Sequence, residues 1–159
     1  MNFVYYFLSL EENDEKKYIE AIIEEIFEEE EENLKKSTME MLFAAHDYVK
    51  KNGDVSFASL REINRFKECY YVFKKYFENK KKVLEKKEIE EEKLDDQAII
   101  KRKSIILSLY TCYYMKISKN EIRTQFDTKI KDKGNETKMG LLDLIQKNKI
   151  NMILIIQIF

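Results

Sequence analysis

Three side chains in this sequence carry thiol or imidazole chemistry: Cys69, Cys112 and His46. A structural zinc site needs about four Cys or His ligands in paired spacing, as in a RING domain. These three lie far apart, so no zinc site is expected. Each cysteine sits among Tyr and aliphatic neighbours, where a thiol behaves as a small buried hydrophobe. That usage fits a reducing, cytoplasmic setting. One histidine can carry a proton, but His46 has no visible sequence partner for such work and reads as an ordinary structural residue on a helix flank. Nucleotide hydrolysis calls for backbone amides and a Lys around the phosphates, written G-x-x-x-x-G-K-[ST], with an acidic residue on magnesium. Gly53, Gly134 and Gly140 are the only glycines, and none has that spacing. No residue cluster supports a self-contained enzyme, and no catalytic residue is assigned.

The elements that position these groups read as nearly all helical. The chain has 159 residues with 44% hydrophobic and 37% charged, no Pro and 3 Gly. Such a composition suits long helices and offers few turns for a sandwich or barrel. Lys plus Arg number 29 against 30 for Asp plus Glu. That balance gives no global field for nucleic acid or an anionic membrane. The apolar start Met1–Leu8 lacks the basic n-region of a signal peptide. The apolar end Ile150–Phe159 is broken by Asn151 and Gln157 and falls short of the ~20 residues a membrane span requires, so no span is expected.

Apolar residues Tyr18, Ile19, Ile22, Ile23, Ile26 and Phe27 recur at helical spacing from Asn13 onward, behind the acidic start Asp14 and Glu15. The acidic run Glu28 to Glu32 and the turn-prone Asn33 to Thr38 read as a solvated boundary. A second helix is expected from about Ser37 to Lys51, with Met41, Leu42, Ala45, Tyr48 and Val49 inward and Asn52-Gly53 as its stop. After a short extended segment, Asp54 to Phe57, Ser59 stands three residues before Glu62 in capping-box spacing. The third helix therefore starts there, with Leu60, Ile63, Phe66, Tyr70, Phe73 and Phe77 as its stripe. The aromatic residues Tyr70, Tyr71, Phe73, Tyr76 and Phe77 could be taken for a base-stacking platform, but their helical spacing reads as core. The Lys/Glu-rich stretch 79–97 reads as a mobile or helical insert. A fourth helix from Ala98 to Met115 buries Ile99, Ile106, Leu109, Tyr110 and Tyr113. Ser118 with Glu121 repeats the capping spacing before a short fifth helix.

The string Asp54-Val55-Ser56-Phe57-Ala58-Ser59-Leu60-Arg61-Glu62-Ile63-Asn64-Arg65-Phe66 resembles the S-L-R-[DE]-hydrophobic-x-R signature of AAA+ lid domains, and midasin and dynein-like motors carry related strings. Three further stretches resemble mysterin-type giant AAA+/RING ubiquitin ligases. Leu10 to Ile19 is similar to an acidic D-E-x-x-Y-I helix start, Ala44 to Val49 to the helix before the signature, and Arg102 to Tyr114 to an R-S-x-I-L-A-L-x-x-C-Y-Y helix. The order agrees, and the resemblance spans roughly Val4 to Phe126.

The resemblance implies an all-α AAA+ C-terminal helical lid bundle: lid helices in 1–78, a charged helical or disordered insert in 79–97, a helical link toward the next module in 98–130, and a truncated or divergent tail in 131–159. It implies a fragment of an ATP-hydrolysing ubiquitin ligase whose lid couples nucleotide binding and hydrolysis to movement between modules. ATP with magnesium would belong to the intact parent module and not to this piece alone. The partners implied are the rest of the AAA+ ring in cis and, for the full-length relative, ubiquitin and its conjugating enzyme. Arg61 takes the sensor 2 position, where a planar guanidinium bonds a γ-phosphate bidentately and loses it on hydrolysis. Arg65, one turn later, would support that contact or tether the lid. The plainer reading makes both exposed arginines, with Glu62 an ion-pair partner for Arg65. The rival function is a small helical adaptor with a Lys/Glu-rich arm, although Val83, Leu84, Ile89 and Leu94 keep no heptad.

Overall fold

The first helix, α1 (Glu12–Ile26), forms where the apolar stripe predicts it, and Ile19, Ile22, Ile23 and Phe27 are buried against the two helices that follow. The computed structural model describes residues 12–27, 32–52, 58–86 and 97–133. Among them every regular element is helical: α2 (Glu32–Asn52), α3 (Leu60–Lys86), α4 (Gln97–Cys112), a 3-10 turn (Tyr114–Lys116) and α5 (Asn120–Lys133). The apolar ends Met1–Leu8 and Ile150–Phe159, the acidic residues 28–31, the extended segment 54–57 and most of the tail expected from 131 lie outside the described residues.

Helix α2 begins at Glu32, about five residues before the expected start at Ser37. Tertiary packing overrides local turn preference here. Leu34 packs against the core, Thr38 is fully buried, and Lys35 reaches back to place Nζ 2.6 Å from Glu24 Oε2 on α1. Glu32 in the first turn also suits the positive helix end. The expected inward residues Met41, Leu42, Ala45, Tyr48 and Val49 are all buried. At the far end Asn52 donates its side-chain amide to the Tyr48 carbonyl at 3.0 Å, which satisfies one of the last orphan acceptors.

Helix α3 has 27 residues and spans about 40 Å. Ile63, Phe66, Tyr70, Phe73 and Phe77 lie inward along it, as their period demands. It runs on to Lys86, through the boundary expected between 78 and 79. Lys and Glu are good helix formers, so a helix anchored by its aromatic half continues beyond it. Residues 87–96 of the expected insert lie outside the described residues.

The most extensive helix pairing is α3 with α4. From Lys103 to Tyr110 every residue of α4 is buried, which leaves it with almost no amphipathic contrast. Its buried serine hydroxyls are satisfied within the helix, Ser104 donating to the Ile100 carbonyl at 2.8 Å and Ser108 to that of Ser104 at 2.7 Å, while the buried Tyr110 hydroxyl has no hydrogen-bond partner among the described residues. Helix α5 closes the bundle on α2 through Phe126, whose ring meets those of Tyr48 and Tyr110 at centroid distances of 5.8 and 5.9 Å. Tyr48 also donates to Gln125 Oε1 at 3.1 Å. One core cluster runs through all five helices, with Phe66, Tyr70, Tyr113 and Phe126 among its largest fully buried side chains.

Candidate functional site

The start of α3 carries the residues that sequence reasoning singled out. Ser59 donates its backbone N–H to Glu62 Oε2 at 3.2 Å, the half of a capping box in which the third residue reaches back. The other half differs: the Ser59 hydroxyl also donates to Glu62 Oε2, and the Glu62 N–H goes to the Ser59 carbonyl at 3.0 Å. The Glu62 carboxylate draws the hydroxyl because it is fully buried and needs donors.

Glu62 Oε1 receives the Lys116 ammonium at 2.7 Å and lies 3.4 Å from Arg61 Nε. Burial pushes the Glu62 carboxyl up, but the hydrogen bonds from Lys116 and Ser59, with the charges of Lys116 and Arg61, outweigh it and hold the group down at about 2. This carboxylate therefore joins three elements: the cap, the first turn of α3, and the 3-10 turn after α4. Sequence reasoning gave Glu62 only a capping and surface-pairing role, because nothing in local spacing points to Lys116.

Arg61 is the second residue of α3, with 81% of its side chain exposed. Its Nε is tethered by Glu62 while the guanidinium faces solvent. Arg65, one turn on, is half-buried. Its positive charge acts on the Cys69 and Cys112 thiols, so the two arginines do not present one common exposed face.

A second polar constellation lies between α1, α2 and the end of α4. His46 is 1% exposed, with Nδ1 3.3 Å from the Tyr113 hydroxyl and the two rings edge to face. Its Nε2 has no hydrogen-bond partner and sits 3.9 Å from Glu15 Oε1, beyond hydrogen-bond reach. Glu15 is held by Lys50 Nζ at 2.8 and 3.0 Å. A cleft of about 230 Å³ opens here, lined by Glu15, Phe43, His46, Asp47, Lys50 and Lys51. Burial lowers the imidazole pKa below 6.5, with Lys50 adding to the effect and Glu15, Glu62 and Asp47 opposing it. The Tyr113 hydroxyl is pushed well up, first by burial and then by the neighbouring Cys112, Glu62 and Glu15. His46 is thus a buried core residue with one idle nitrogen.

The two cysteines, 43 positions apart, meet across the α3–α4 contact with Cys112 Sγ donating to Cys69 Sγ at 3.8 Å. Both are free thiols and fully buried. Among the described residues no three His, Cys, Asp or Glu side chains gather as metal ligands, and no helix is long and apolar enough to cross a membrane.

No family model, curated protein or solved structure matches the chain. Its geometry is therefore the basis for a functional reading, beside the motif strings quoted above.

Proposed function

We propose that this helical bundle is the lid of an AAA+ nucleotide module of the mysterin ubiquitin-ligase type, with Arg61 reading the γ-phosphate of an ATP–magnesium complex held by a neighbouring subdomain. The position of Arg61 carries this reading. It projects into solvent from the first turn of the longest helix, on a start fixed by Ser59 and Glu62. A guanidinium placed there gains a bidentate phosphate contact without unpacking any core. Loss of the phosphate on hydrolysis releases the contact, and the rigid α3–α4 pair transmits the change as movement of the whole bundle. Ubiquitin transfer belongs to other parts of such a protein, since no zinc ligand set exists in this sequence.

A second reading, a helical adaptor, draws support from Val72, Tyr76 and Val83, which are exposed along the outer half of α3. One experiment separates the two. The protein encoded through and beyond this chain is expressed as wild type, Arg61→Ala and Arg61→Lys, and ATP turnover is measured together with lid displacement by a fluorophore pair across the nucleotide cleft. The motor reading expects Arg61→Ala to lose roughly ten- to a hundredfold in turnover, the value of a charge-assisted contact of ~1.5–3 kcal/mol, with Arg61→Lys partly restoring it. Unchanged turnover and unchanged displacement in Arg61→Ala, or the lack of any Walker A motif in the flanking coding sequence, would overturn it in favour of the adaptor.

A further inference from the structure

The chain has 2 cysteines in 159 residues, and the fold brings them into sulfur–sulfur contact at 3.8 Å from different helices. Two features separate this pair from ordinary core packing. The first is polarity: the Cys112 thiol donates its proton toward Cys69 Sγ, and the half-buried Arg65 guanidinium, one turn before Cys69 on α3, adds positive charge beside both sulfurs. Together they favour thiolate on Cys69 against the opposing effect of burial, whereas the bond to Cys69 and burial push the Cys112 thiol up despite the Arg65 charge. The second is location. Cys112 is the last residue of α4, where the helix gives way to the turn at Tyr113 and the 3-10 segment Tyr114–Lys116. Cys112 and Tyr113 are closed to solvent in the ground state, so a small oxidant reaches the sulfurs through local opening, for which a helix end is better placed than a helix centre.

We propose that Cys69 and Cys112 form a thiol modification site at which a peroxide of the hydrogen peroxide class closes an α3–α4 disulfide. The Cys69 thiolate attacks one peroxide oxygen, the O–O bond breaks, and the leaving hydroxide takes up the proton that Cys69 released to become water. Cys69 is then a sulfenic acid. The Cys112 sulfur attacks Cys69 Sγ, the S–O bond breaks, and the departing hydroxide leaves as water with the Cys112 proton. In sum two thiols lose two electrons and two protons, and one peroxide becomes two waters. The product fastens the end of α4, and with it the Lys116 that holds Glu62, to the third turn of α3. This inference stands on the sulfur geometry and does not depend on the nucleotide reading.

The test uses the full 159-residue chain. Reduced protein is treated with hydrogen peroxide in the folded state, quenched with an alkylating maleimide, and read by intact mass, peptide mapping and thermal unfolding. The expected product is a monomer lighter by about two hydrogens, carrying no maleimide after denaturation, with a Cys69–Cys112 cross-linked peptide that dithiothreitol releases. Closing a loop of this length raises the unfolding midpoint by roughly 10 °C. Cys69→Ala and Cys112→Ala each abolish the cross-link. In Cys112→Ala the sulfenic acid on Cys69 accumulates and is trapped by dimedone, whereas Cys69→Ala traps far less, a difference readable even if one variant is less stable. Thiols that stay fully alkylatable after peroxide treatment of folded protein overturn the proposal. So do disulfide-linked dimers as the main product, or equal dimedone trapping in the two variants.

Discussion

Glu62→Gln is the perturbation whose size follows most directly from this structure. The carboxylate is fully buried and bonded to Lys116, Ser59 and Arg61, and it is held at about 2 against an ordinary 4.5. A fall of that size is worth at most about 3 kcal/mol of folding stability. Lys116 keeps 18% and Arg61 81% of their side chains exposed, so solvent screens part of the attraction and ~2 kcal/mol is the expected value. Because the folded group binds its proton less readily than the unfolded one, its contribution is complete above pH 4.5 and drains away as pH falls through about 2. Urea unfolding of the wild type and of Glu62→Gln, followed by circular dichroism from pH 7 to pH 2, measures both features. The stability gap between the two should be ~2 kcal/mol at pH 7 and close at the acid end. Lys116→Met should cost at least as much, since it leaves a buried charge without its cation, and the double variant should cost less than the sum. A gap near zero at pH 7, or one that does not change with pH, would refute the assignment of Glu62 as the ionised tie between α3 and the segment after α4.

Two further outcomes follow from the same packing. His46 is the sole histidine, so its ring resonances titrate alone in an NMR series. The midpoint should lie below 6.5, and stability should decline as pH drops beneath 6.5 because the unfolded chain protonates first, a slope that His46→Phe removes. A midpoint at or above 6.5 would show that the imidazole is not desolvated. Phe126→Ala should cost roughly 3–5 kcal/mol, since that ring is fully buried against Tyr48, Tyr110 and Tyr114. Amide exchange in this variant should rise first along α5; uniform loss of protection across the bundle would instead mean that α5 folds as one unit with α1 to α4.

The helical stripes were legible because their information is local. Side chains three and four residues apart share a face whatever the rest of the chain does, so Ile19, Ile22 and Ile23 on α1, or Ile63, Phe66, Tyr70 and Phe73 on α3, announced both helix and core side. The capping residues Ser59 and Glu62 fixed the start of α3 for the same reason, and with it the exposed first-turn place of Arg61. Helix α4 gave the weakest pattern, since a helix buried on every side has no polar face to mark its period.

What the sequence by itself determined, then, is the all-α class and most of the inward faces, although Tyr71 and Tyr76, read as core, stand exposed on α3, and Ile99 is only partly buried. The early start of α2, the Glu62–Lys116 tie, the His46–Tyr113 contact across 67 positions and the Cys69–Cys112 contact across 43 were decided only by tertiary structure. Each depends on which helices pack together and at what rotation, and the energy that sets this comes from burying whole apolar faces. No periodicity along one segment records which distant polar atoms that burial will enclose.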